Sequence, residues 1–91
     1  MVTVSVAPQA DGWVCEVSVE HEGERSQHTV AVTSEDLARW GRGDGPDAVE
    51  ELVARSFGFL LEREPTSSIL RRFDLSVIRR YFPEYDQQLK P

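Results

Sequence analysis

The first thirty-three residues alternate apolar and polar side chains with a period of two, and no other feature constrains the fold as much. Val2, Val4 and Val6 alternate with Thr3, Ser5 and Ala7. Trp13, Cys15, Val17 and Val19 alternate with Val14, Glu16, Ser18 and Glu20, and Val30 and Val32 with Thr29, Ala31 and Thr33. This is the pattern of half-buried strands. Asp11-Gly12 and Gly23-Glu24 are two-residue hairpin signals between them. A loop centred on Asp11-Gly12 pairs Val6 with Val17 and Val4 with Val19. One centred on Gly23-Glu24 pairs Val17 with Val30 and Cys15 with Val32. Both registers keep the apolar set on one face, and a slip of one residue turns it to water. Pro8 is tolerable if the first strand is an edge. The expectation is a three-stranded antiparallel meander with strands at about 2–8, 13–21 and 26–33.

The period then changes. Thr33-Ser34-Glu35-Asp36 has the hydroxyls and acids of a helix start, and Gly41-Arg42-Gly43-Asp44-Gly45 stops that helix early. Pro46 suits the first position of a second helix, predicted over about 46–64. Its apolar residues (Ala48, Val49, Leu52, Val53, Phe57, Phe59, Leu60, Leu61) cover more than half its circumference, so it must be covered on two sides. Gly58, unfavourable inside a helix, suggests a close backbone crossing. Two or three short helices follow, broken by Pro65 and Pro83. The fold class is therefore α+β, and residues 1–91 make a single domain, too short for a second core.

Residues 68–82 nearly repeat themselves: Ser68-Ile69-Leu70-Arg71-Arg72-Phe73, then Ser76-Val77-Ile78-Arg79-Arg80-Tyr81. The preferred reading is two short helices, the first capped by Thr66 or Ser67 and the second by Asp74. Each ends in a pair of arginines, which is favourable near a helix C-terminus. The functional reading makes Arg71, Arg72, Arg79 and Arg80, with Tyr81 and Tyr85, a face for an anion or an acidic or aromatic partner.

Charge bears on that choice. The chain carries a net −6, with five basic and thirteen acidic residues in 1–65 and five and three in 66–91, a division of −8 and +2. A field of this sign disfavours nucleic acid and anionic membranes. An RNA or DNA accessory binder using the four arginines is the alternative to a non-enzymatic protein-interaction module.

Catalytic and cofactor chemistry find no residue set. Gly41–Gly45 lacks the Lys-Ser/Thr of a phosphate loop and places Asp44 and Asp47 where phosphate would sit. Cys15 alternates with core residues and is a small apolar filler, without a second cysteine to pair or a base to activate it. His21 and His28 flank the second hairpin as diagonal neighbours, two ligands without a third. The expectations are no enzyme, no cofactor and no metal. No early apolar run follows a basic start, so the chain reads as cytoplasmic. Exposed sheet edges leave a homodimer open.

The run Phe57-Gly58-Phe59-Leu60-Leu61-Glu62-Arg63-Glu64-Pro65, with Ser68-Ile69-Leu70, Phe73-Asp74-Leu75, Ile78 and Arg80-Tyr81-Phe82-Pro83-Glu84-Tyr85, resembles a small bacterial family of uncharacterised proteins. The resemblance spans roughly residues 46–86. It implies a bacterial cytosolic origin and brings no activity, cofactor or catalytic residue with it.

Overall fold

The computed structural model describes residues 1–91. Three strands form the expected meander: β1 (Val2–Gln9), β2 (Gly12–His21) and β3 (Glu24–Thr33). The faces are as the alternation requires, with Cys15, Val17, Val19, Val30 and Val32 buried and Val2, Val4 and Val6 half-buried. The registers are shifted by two residues. Val4 lies opposite Val17, Val6 opposite Cys15, and Cys15 opposite Val30. Each turn is centred one residue earlier than expected, on Ala10-Asp11 and Glu22-Gly23. A shift of two keeps every side chain on its face, so alternation alone cannot detect it.

The glycines explain the turns. Glu22 and Gly23 have φ of 51° and 82°, both in the left-handed region that a tight hairpin loop demands. Gly12 lies outside its turn, in β2. A Cβ there would come within 2.2 Å of the Val32 carbonyl oxygen, so β3's backbone occupies the space of a side chain.

A fourth strand, β4 (Arg72–Asp74), completes the sheet in the order β1-β2-β3-β4. It runs parallel to β3, with Val30 opposite Phe73. Thr29 N–H donates to the Arg71 carbonyl at 2.7 Å, and Leu75 N–H donates to the Ala31 carbonyl at 2.9 Å. The first half of the doubled sequence is thus not a helix. Thr66–Ser68 makes a single 3₁₀ turn without a side-chain cap, and the chain then extends. Asp74 belongs to the strand and caps nothing. The two similar strings adopt different structures because residues 71–75 reach the open edge of β3, a tertiary contact no local pattern encodes.

Helix α1 (Ser34–Trp40) opens with a reciprocal cap. Asp36 N–H donates to Thr33 Oγ1, and Thr33 N–H donates to Asp36 Oδ2, both at 3.0 Å, satisfying two otherwise orphaned donors. Helix α2 (Pro46–Leu61) starts at Pro46 and ends three residues earlier than expected. It buries Val49, Leu52, Val53, Phe57, Phe59 and Leu60 and packs against β1 and β2. Gly58 is exposed with nothing near it, so there is no backbone crossing at that point. Two short helices, α3 (Val77–Tyr81) and α4 (Tyr85–Gln88), close the other flank. None of the helices is long and apolar enough to cross a membrane.

Candidate interaction site

The C-terminal segment is held to the rest of the chain from within the acidic part. Arg39 grips Asp86 with two parallel bonds, Nε to Oδ1 and Nη2 to Oδ2, each 3.0 Å. The Trp40 indole N–H donates to the same Oδ1 at 2.9 Å. The Arg39 and Trp40 bonds hold the Asp86 carboxyl below the usual carboxylate range. Arg63 donates to Glu84 at 3.2 Å and to the Phe59 carbonyl at 3.0 Å, while its guanidinium lies 3.6 Å over the Phe59 ring. Glu84 is pulled down in turn, first by a backbone hydrogen bond and then by Arg63. Arg55 reaches the carbonyls of Trp40 and Leu89 at 2.9 and 3.4 Å.

Tyr85 is the centre of this closure and is fully buried. Its ring meets Trp40 and Phe59 edge-on at 5.1 and 5.3 Å. This removes Tyr85 from any accessible face. Burial raises its phenol well above the ordinary tyrosine range.

The chain's arginine ion pairs are made by Arg25, Arg39, Arg42, Arg55 and Arg63. All the basic residues of 1–65 are paired, and Arg71, Arg72, Arg79 and Arg80 have no carboxylate partner. The helix-end role expected of the doubled arginines fails for Arg71 and Arg72, which end no helix, and holds for Arg79 and Arg80, where cations favour the helix C-terminus. Arg79 is half-buried, and its charge makes a small contribution to lowering Asp86.

Between the end of α2, the extended segment before β4, and α3 lies an apolar groove of about 150 Å³. Leu60, Ile69, Phe73, Val77, Ile78 and Phe82 line it. Its rim carries two large exposed hydrophobic side chains, Leu70 at 49% and Tyr81 at 67% of full exposure. These two, with Phe73 and Val77, also border a second concavity on the outer face of the sheet, lined by Thr29, Ala31, Arg72, Asp74 and Arg80. The structure therefore brings together Arg72, Arg80 and Tyr81 and adds Leu70. Arg71 and Arg79 line neither hollow. Glu64 also lines the groove, its carboxyl pushed up by burial.

The histidines do not form a pair. With the observed register His28 opposes Val17 and His21 opposes Glu24, four residues apart along the ladder instead of two. His28 is buried, its ring 5.2 Å from Phe57. Its Nδ1 lies 2.7 Å from the Leu70 carbonyl and its Nε2 2.7 Å from Ser26 Oγ. A carbonyl only accepts, so Nδ1 carries the hydrogen, and Nε2 accepts from Ser26 in the neutral ring. His28 thus pins the segment that presents Leu70. The available signal was its place two residues before Val30 in the alternating strand. Cys15 is buried and its thiol is pushed up to about 11, by burial first and Glu16 second.

Comparison with family models, with curated proteins and with solved structures finds no match to the chain.

Proposed function

We propose that the protein is a non-enzymatic interaction module whose C-terminal face takes a segment of a partner protein, one apolar side chain anchored in the groove and flanking carboxylates at Arg72 and Arg80. The observation that carries this reading is the division of charge. The chain's own carboxylates Glu84 and Asp86 are neutralised by Arg63 and Arg39, which leaves Arg72 and Arg80 without an ion pair beside exposed Leu70 and Tyr81, in a hollow whose single carboxylate is Asp74. An apolar centre with an aromatic and arginines at its rim has the composition of a binding hot spot.

The non-enzymatic part rests on Cys15 and His28. A buried thiol that keeps its proton to about pH 11 is a poor nucleophile, and His28 is buried, with both nitrogens occupied by Ser26 and the Leu70 carbonyl and no route to a substrate. The proposed setting is the cytoplasm, with the unpaired cysteine as its support. Nucleic acid is the less favoured partner, because the net charge is −6 and only Arg72 and Arg80 of the four arginines line the same hollow.

Selection from a random displayed-peptide library tests the reading. We expect enriched peptides to share an aromatic or aliphatic anchor beside Asp or Glu. Their binding should fall at least ~10-fold with Tyr81→Ala or with Arg72→Glu combined with Arg80→Glu, as for loss of a hot-spot contact. Enriched peptides without acids, binding that these variants leave intact, or tighter and steeply salt-dependent binding of oligonucleotides would overturn it.

A further inference from the structure

The far side of the sheet ends on β1, and nothing in the chain pairs with that edge. Its free groups can be assigned by parity. Glu20 N–H donates to the Met1 carbonyl at 2.8 Å, and the Met1 amine donates to the Glu20 carbonyl. Along an antiparallel ladder the backbone groups point alternately towards and away from the neighbour. Thr3, Ser5 and Ala7 therefore face β2, while Val2, Val4 and Val6 turn their N–H and C=O groups outward. Pro8 is the next outward position, where its missing N–H breaks no bond within the sheet.

Proteins commonly guard such edges with charges, short strands or bulges. β1 carries no charged side chain from Val2 to Gln9 in a chain of net −6, and its three valines are only half-buried. The opposite edge, β4, is three residues long and bears Arg72 and Asp74. Pro8 guards only the end of β1, and the unguarded stretch of edge is Val2 to Val6.

We infer that a second copy of this chain pairs antiparallel with β1 about a two-fold axis through Val4. Val4 then faces its own counterpart, and Val2 faces the partner's Val6. Every outward N–H and C=O of the three valines is satisfied. A register advanced by one pair would set Val2 against the partner's Pro8, which cannot donate. The axis runs perpendicular to the sheet, so both α2 helices stay on one side and the half-covered valine rows become continuous. The self-complementary register is why the occupant is another copy: one sequence supplies both halves of the seam and puts no acid into it.

Sedimentation equilibrium over a concentration series, at low and high salt, tests this. The wild-type chain should approach twice its 10.3 kDa mass. Its association should strengthen with salt, because screening relieves repulsion between two acidic molecules. That is opposite to the salt response of arginine-mediated binding, so this proposal and the peptide-binding one fail separately. In the inferred register Thr3 lies opposite the partner's Ser5, and both are exposed, so charges there spare the core. Thr3→Glu with Ser5→Glu should weaken dimerisation at least ~10-fold by setting like charges face to face, and Thr3→Lys with Ser5→Glu should restore it. A wild-type chain monomeric at every concentration overturns the inference. So does a dimer that the two double variants affect equally.

Discussion

Tyr85 donates its phenolic hydrogen to Ser56 across 2.7 Å of buried interior. The direction follows from the serine, whose single hydrogen is already given to the Leu52 carbonyl at 2.8 Å. Helix α2 thereby offers an acceptor in the middle of its apolar surface, and α4 closes over it. Tyr85→Phe removes one hydrogen bond while keeping the ring, and should lower stability by about 1 kcal/mol. Tyr85→Ala should cost about 3–5 kcal/mol through the cavity beside Trp40 and Phe59. Urea denaturation reads both. A neutral alanine variant would show that the C-terminal turn contributes nothing to the core.

His28 couples β3 to the chain entering β4 through the Leu70 carbonyl. His28→Ala should lose about 2–4 kcal/mol from hydrogen bonds and packing on Phe57. The amide of Leu75, bonded to Ala31, should then exchange faster than those at the centre of β2. Uniform exchange across the sheet would contradict the assignment of His28 as the pin of β4.

Alkaline pH should destabilise the protein in a defined window. An unfolded thiol ionises near 9.0, while that of Cys15 holds its proton to about 11. Between those values the unfolded chain has lost protons that the native one keeps, so stability falls as pH rises, and below the lower value the thiol contributes no slope. The fall should be on the order of 2 kcal/mol, with Tyr85 prolonging it above its unfolded range near 10.0. Cys15→Ala should flatten the slope between pH 9 and 11, whatever it does to stability at neutral pH. An unchanged slope would remove the thiol from the account.

Two glycines should respond oppositely to the same change. Gly58→Ala adds a methyl group to open space on an exposed helix face and should stabilise by up to about 1 kcal/mol. Gly12→Ala drives a methyl group into the Val32 carbonyl and should destabilise by more than about 2 kcal/mol. Thermal unfolding separates them; equal effects would mean that β2 and β3 do not approach as closely as described.

Much of this architecture is legible in the residues. Alternation names the buried face of all three meander strands, Thr33 and Asp36 mark the start of α1, and Pro46 that of α2. The exact turn centres are not legible, because Asp11-Gly12 and Ala10-Asp11 produce registers that bury the same valines. β4 is not legible either, since the likeness of residues 68–73 to 76–81 suggests one structure for both. Phe73-Asp74-Leu75 does alternate, but three residues are too few to outweigh that likeness. In the candidate site Arg72, Arg80 and Tyr81 were visible by composition. Leu70 was not, because inward and outward apolar residues look alike until the neighbouring strand is placed. The polar tip of Tyr85 makes it a candidate for the face, because its partner Ser56 lies twenty-nine residues away and is not legible locally.

The division of the arginines into clamps and free groups is the central claim, and paired charge removal tests it most directly. Thermal unfolding would compare Arg39→Gln with Arg63→Gln against Arg72→Gln with Arg80→Gln. The account predicts a clear drop in melting temperature for the first pair, which frees Asp86 and Glu84, and a melting temperature close to wild type for the second. Equal losses, or a larger loss for the second pair, would contradict it and return Arg72 and Arg80 to the protein's own architecture.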